Sequence, residues 1–104
     1  VTEWMRCSWD EEDIRYLFEI GDDGYVTRQI ELRGPERAPI AAASLVAWLT
    51  ARDTGRLPEY EAVYGLTAEP PVPEWEGHNP QPLSAADFED AWQAARQAIH
   101  SRPG

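Results

Sequence analysis

Four consecutive carboxylates, Asp10, Glu11, Glu12 and Asp13, follow a tryptophan in the stretch W-D-E-E-D (9–13). Such a run could hold a metal, steer a basic partner, or form a wet turn between two strands. Calcium loops set acids at alternate positions around a glycine and close on a glutamate. This run is contiguous and has no glycine, and in a tight turn successive side chains diverge. The metal reading is therefore the weakest of the three. A solvated strand connection is the ordinary reading. The sharper one adds Asp22, Asp23 and the acids of 59–76, so that one face becomes strongly negative and steers a cationic partner.

Other chemistry is thin. His78 lies in a loop and His100 near a helix end, and with one cysteine there is no zinc spacing. Cys7 reads as a small buried hydrophobe. No G-x-S-x-G, G-x-G-x-x-G, H-E-x-x-H or phosphate-loop pattern occurs. All nine bases are arginine, so lysine Schiff-base chemistry and a lysine-dependent phosphate loop are excluded. Arg28 is the odd residue, because alternation puts it among Phe18, Tyr16 and Ile30. An arginine there must be paired or stacked. The structural reading is a stack on an aromatic, with a carboxylate from the terminal helix or the proline-rich segment. The functional reading is an anion anchor at the floor of a pocket walled by Trp4, Trp75 or Trp92.

The elements that position these groups follow from periodicity. Residues 2–9, 14–20 and 25–33 alternate as strands, although Leu17 breaks the pattern in I-R-Y-L-F-E-I. A three-residue loop, Asp22-Asp23-Gly24, sets Ile20 opposite Val26, Tyr16 opposite Ile30 and Ile14 opposite Leu32, with Arg15 facing Glu31. The same register puts Arg28 beside Phe18. Gly24 supplies the left-handed residue that this loop needs. Residues 38–43 read as a short strand or the start of a helix. Helices are expected over about 44–54 and 58–64, each ended by a glycine. Residues 66–82 carry five prolines and read as an extended strap anchored by Leu66, Val72 and Trp75. Ser84 caps a terminal helix over about 85–100, with Leu83 and Phe88 as a hydrophobic staple and Phe88, Trp92, Ala95 and Ile99 as its buried stripe. The order implies α+β: a three- to four-stranded antiparallel meander, packed by two or three helices on one face, in one domain over 1–104.

Composition narrows function. Nineteen acidic and nine basic residues leave a net charge of −10. Such a field disfavours nucleic acid and anionic membranes. The longest apolar run, 40–49, is too short to span a bilayer. A single cysteine and no signal-like N-terminal run point to the cytoplasm.

The stretches W-M-R-C-S-W, D-E-E-D, Y-L-F-E-I, D-D-G-Y-V-T-R-Q-I-E-L, P-P-V-P and L-S-A-A-D-F-E-D-A-W together resemble a family of small acidic bacterial domains of unknown function. The resemblance covers about half of the chain and implies the fold; residues 44–65 depart from it. The expected function is a non-enzymatic protein-binding module of the immunity-protein or inhibitor kind, without a cofactor, masking a basic protein. Asp10, Glu11, Glu12, Asp13, Asp22 and Asp23 would steer the partner, and exposed Tyr60, Tyr64 or Trp75 would anchor it. The alternative is a small-ligand domain with Arg28, Trp4, Trp75 and Trp92 around an aromatic pocket.

Overall fold

The computed structural model describes residues 2–9, 11–67 and 80–101. The strands are β1 (Glu3–Trp9), β2 (Ile14–Ile20), β3 (Val26–Arg33), β4 (Ala38–Ser44) and β5 (Gln81–Pro82). The helices are α1 (Leu45–Asp53), α2 (Leu57–Tyr64) and α3 (Ala85–His100). All strands are antiparallel, in the order β4-β3-β2-β1-β5. The class is α+β, as composition and periodicity imply, and residues 38–44 are strand.

Two details of the sheet differ from expectation. The first is a fifth strand. Gln81 and Pro82 pair with Arg6 and Met5 at the β1 edge, where proline costs no ladder bond. The second is the register of the β2–β3 hairpin. The three-residue loop is present, with Gly24 at φ 84° and Ile20 opposite Val26. A β-bulge follows at once: Glu19 pairs with Arg28, Phe18 with Gln29, Leu17 with Ile30, Tyr16 with Glu31 and Ile14 with Arg33. Thr27 is the extra residue. Its hydroxyl donates to the Glu19 carbonyl at 3.2 Å and to Glu19 Oε1 at 2.9 Å, so the bulge is tied down by side-chain bonds. One inserted residue moves every later side chain to the other face. Arg28 therefore leaves Phe18 and joins Glu19, and Arg15 faces Leu32 instead of Glu31.

Both faces of the sheet are apolar. Under α3 lie Leu17, Ile30 and Ala42, which pack with Phe88, Ala95 and Ile99, and with Trp4, Leu32 and Trp92 at the margin. The opposite face buries Met5, Cys7, Phe18, Ile20 and Val26 beside Tyr16. Leu17 is thus no defect of alternation; a strand buried on both sides reads as a continuous apolar run.

The helices after β4 close its end and edge. Ser44 caps α1 by accepting from the Ala47 N–H at 3.4 Å. Pro58 sits in the first turn of α2. Within α2, Tyr60 Oη accepts the Ser44 N–H at 2.9 Å and Tyr64 joins the α3-side cluster. Gly65, at φ 80°, then passes over Ala41 on the other face, where an added Cβ would stand 2.9 Å from the Ala41 Cβ. Ser84 caps α3 by accepting from the Asp87 N–H at 3.0 Å. No described helix is long and apolar enough to cross a membrane.

Candidate functional site

The bulge builds a polar row across one end of the α3-covered face. Trp4, Glu19, Arg28 and Ser44 lie side by side on β1, β2, β3 and β4. Arg28 Nε donates to Glu19 Oε1 at 2.9 Å and Nη2 to Glu19 Oε2 at 2.6 Å, a two-pronged pair. The same Nη2 donates to Glu89 Oε2 on α3 at 2.8 Å. Trp4 Nε1 donates to Glu19 Oε2 at 3.1 Å. The guanidinium also stacks on two rings of α3, 5.0 Å from the Phe88 centroid and 5.1 Å from that of Trp92. Glu19 accordingly receives bonds from three donor side chains. Hydrogen bonding to Arg28 holds its carboxyl below the usual range, with Thr27 and Trp4 adding to this and burial opposing it. Arg28 is shifted upward, chiefly by its bonds to Glu19.

This geometry brings together three of the four residues expected around a pocket. Trp4 and Trp92 do meet Arg28, through Glu19 and by stacking, but the arginine already holds two carboxylates. An incoming anion would have to displace Glu19 from a two-pronged, partly buried pair. Trp75 lies outside the described residues, as do Asp10 and His78. Glu19 is the residue that sequence reasoning missed. Its signal was Thr27: a hydroxyl residue one step before Arg28, just after a tight turn, can fill a bulge.

The acidic residues fall into two groups. Glu11, Glu12 and Asp13 stand at the β1–β2 turn and Asp22 and Asp23 at the β2–β3 turn, at opposite ends of a seven-residue strand, roughly 20 Å apart at the usual rise. They do not form one continuous patch. The first group is partly neutralised, by Arg33 on Glu12 at 3.6 Å and Arg37 on Asp13 at 3.1 Å. The second shares its end of the sheet with Glu3, which pairs with Ile20, and with the first turns of α3, since Leu83 N–H donates to the Trp4 carbonyl. Among the described residues no ion pair involves Glu3, Asp23, Asp87 or Asp90.

The expected aromatic anchors are placed otherwise too. Tyr60 and Tyr64 are half-buried and serve the packing of α2. Tyr60 Oη also accepts from Arg96 Nη2 at 3.2 Å. Tyr64 bonds to His100 at 2.6 Å and stacks under Arg96. The exposed aromatic among the described residues is instead Tyr25, 43% accessible, directly after Asp22-Asp23-Gly24. It lines a shallow cleft of about 190 Å³ with Val26, Leu45, Trp48, Glu61, Leu66 and Thr67. Trp48 Nε1 donates to Glu61 Oε2 at 3.1 Å and fixes that carboxylate at the cleft. Among the described residues no group of three His, Cys, Asp or Glu side chains is arranged to hold a metal ion.

Comparison with protein-family models, with curated proteins and with solved structures finds no match to this chain.

Proposed function

We propose that this protein is a non-enzymatic binding module that masks a basic protein, in the manner of an immunity protein or inhibitor, and that the β2–β3 end is the surface it uses. One observation carries the reading: carboxylates with no ion pair among the described residues and the exposed Tyr25 lie at the same end of the sheet. Asp23, Glu3, Asp87 and Asp90 leave a field that a cationic surface would complete. Tyr25 and Leu66, exposed beside the cleft, supply the apolar area on which binding energy concentrates. The cleft suits one inserted side chain better than a metabolite, because ligand sites run to about 300–1,000 Å³. The alternative of a small-ligand site with Arg28 as anchor is less favoured, since Glu19 and Glu89 occupy that arginine.

Capture from the native cell extract tests the proposal. Immobilised protein should retain a basic protein at low salt and release it as salt rises. An Asp22→Asn/Asp23→Asn/Tyr25→Ser variant should fail to retain it. Absence of any basic protein in the low-salt eluate would refute the reading, as would equal retention by the variant.

A further inference from the structure

The opposite end of the molecule has a different character. Arg6 pairs with Leu17 across β1 and β2, and Arg15 lies two residues before Leu17 on the same strand. Both side chains therefore leave the α3-covered face of the sheet, near its β1–β2 end. Arg37, at φ 54° in the β3–β4 turn, reaches towards the same corner, with Nη1 3.1 Å from Asp13 Oδ1 and 3.3 Å from the Gly34 carbonyl. Asp13, also left-handed at φ 51°, faces it. Arg6 donates to the neutral Gln81 side chain.

Arg15 is the unresolved group. Its Nε is shielded from solvent and has no hydrogen-bond partner. Among the described residues neither Arg6 nor Arg15 has an ion pair. Arg37 and Arg6 stand close enough to bear on Arg15, and Asp13 is the carboxylate that offsets them. Among the described residues these three guanidinium groups thus share one carboxylate, Asp13, in a chain whose net charge is −10. Outside this corner Arg28 pairs with two acids and Arg33 and Arg52 with one each, while Arg96 bonds to the Ala42 carbonyl and the Tyr60 hydroxyl. A buried donor without an acceptor, surrounded by like charge, is an arrangement that an anion completes.

We infer that Arg6, Arg15 and Arg37 form a binding site for a small anion that presents a phosphate or carboxylate group. The guanidinium fork suits both, since each presents paired oxygens to parallel N–H donors. The site is separate from the β2–β3 surface and does not depend on it. It also differs from the Arg28 row, where the protein's own carboxylates fill the equivalent role.

Thermal unfolding of the full chain tests this with inorganic phosphate and with malonate, each against sodium chloride at equal ionic strength. At about ten times its Kd, a ligand that binds only the folded state should raise Tm by on the order of 5 °C in a chain of this size. A rise with phosphate alone, with malonate alone or with both supports the site, and the anion that gives it identifies the group. Arg15→Gln should abolish that rise, while its Tm in chloride stays level or increases, because an unpaired cation has been removed. Arg6→Gln should weaken the rise and serves if the first variant folds poorly. Both anions also stabilise proteins generally by exclusion. An equal rise in the wild type and both variants would thus overturn the site, as would no rise with either anion.

Discussion

Replacing Arg28 by methionine keeps an apolar stem under α3 and removes the guanidinium. Glu19 then retains Trp4 and Thr27 as donors but loses its charged partner, while Phe88 and Trp92 lose the stacked cation. Breaking a fully buried pair from one side costs about 3–5 kcal/mol. Here the side chains are 22% and 16% exposed, so solvent screening reduces that to roughly 2 kcal/mol. Lost stacking adds about 1 kcal/mol. The exposed Glu89 contact adds little. A total of about 3 kcal/mol corresponds to a fall in Tm of roughly 10–20 °C for a domain of this size. Urea unfolding at pH 7 measures it, with m unchanged if the transition stays two-state. Arg28→Lys should lose about half as much, since a point charge cannot make the two-pronged pair. In a cycle with Glu19→Gln the double variant should be less destabilised than the sum of the singles by about 1–2 kcal/mol. The sign of the pH dependence follows from Glu19. Its folded pKa is depressed, so its stabilisation is present above about 4.3, the unfolded value, and is lost as pH falls through the lower folded value. Arg28→Met should flatten that acid limb. A loss below about 1 kcal/mol, or strict additivity with Glu19→Gln, would refute the structural role assigned to Arg28.

Phe88 is fully buried between α3 and the sheet, so Phe88→Ala should cost about 3–5 kcal/mol in the same urea assay. Gly65→Ala should cost about 1–3 kcal/mol, because it combines a left-handed φ with a methyl pressed onto Ala41. Burial pushes the Glu31 carboxyl above its ordinary range, with Gln29 the hydrogen bond that opposes this. The penalty is therefore absent below the unfolded pKa of about 4.3 and complete above the folded one. Glu31→Gln should raise Tm at pH 7 and leave it unchanged at pH 3.5. Ser84→Ala should remove about 1 kcal/mol by uncapping α3, read as a lower Tm with native helical circular dichroism retained below it.

Much of the architecture could be read from residue patterns because it rests on local rules. Ser84, Leu83 and Phe88 mark the start of α3, Gly24 the hairpin loop, and Gly55 and Gly65 the ends of α1 and α2. Where the reading went astray, a non-local effect decided. One bulge residue, Thr27, is invisible to a two-residue period yet reverses the faces of β3 beyond it. That single step replaced the Arg28–Phe18 contact with the Arg28–Glu19 pair. The strand at Gln81–Pro82 escaped notice because two residues carry no periodicity and proline argues against ladders. The candidate site was half legible. An arginine stacked on an aromatic, with a carboxylate from the terminal helix or the proline-rich segment, is what burial implies; that the rings are Phe88 and Trp92 and the helix carboxylate Glu89 needed the structure. That Tyr60 and Tyr64 would be spent on packing, leaving Tyr25 exposed, depends on where α2 crosses the β4 edge.

The most direct test of a partner-masking role at the β2–β3 end is the association rate of the captured basic protein as a function of ionic strength. Three chains should be compared: wild type, Asp22→Asn/Asp23→Asn, and Glu11→Gln/Glu12→Gln. The wild-type rate should fall steeply as salt rises from about 0.01 to 0.15 M. The Asp22→Asn/Asp23→Asn chain should associate more slowly with a shallower slope, and the Glu11→Gln/Glu12→Gln chain should remain close to wild type. Identical slopes for all three chains, or a larger effect at the β1–β2 turn, would contradict the placement of the binding surface.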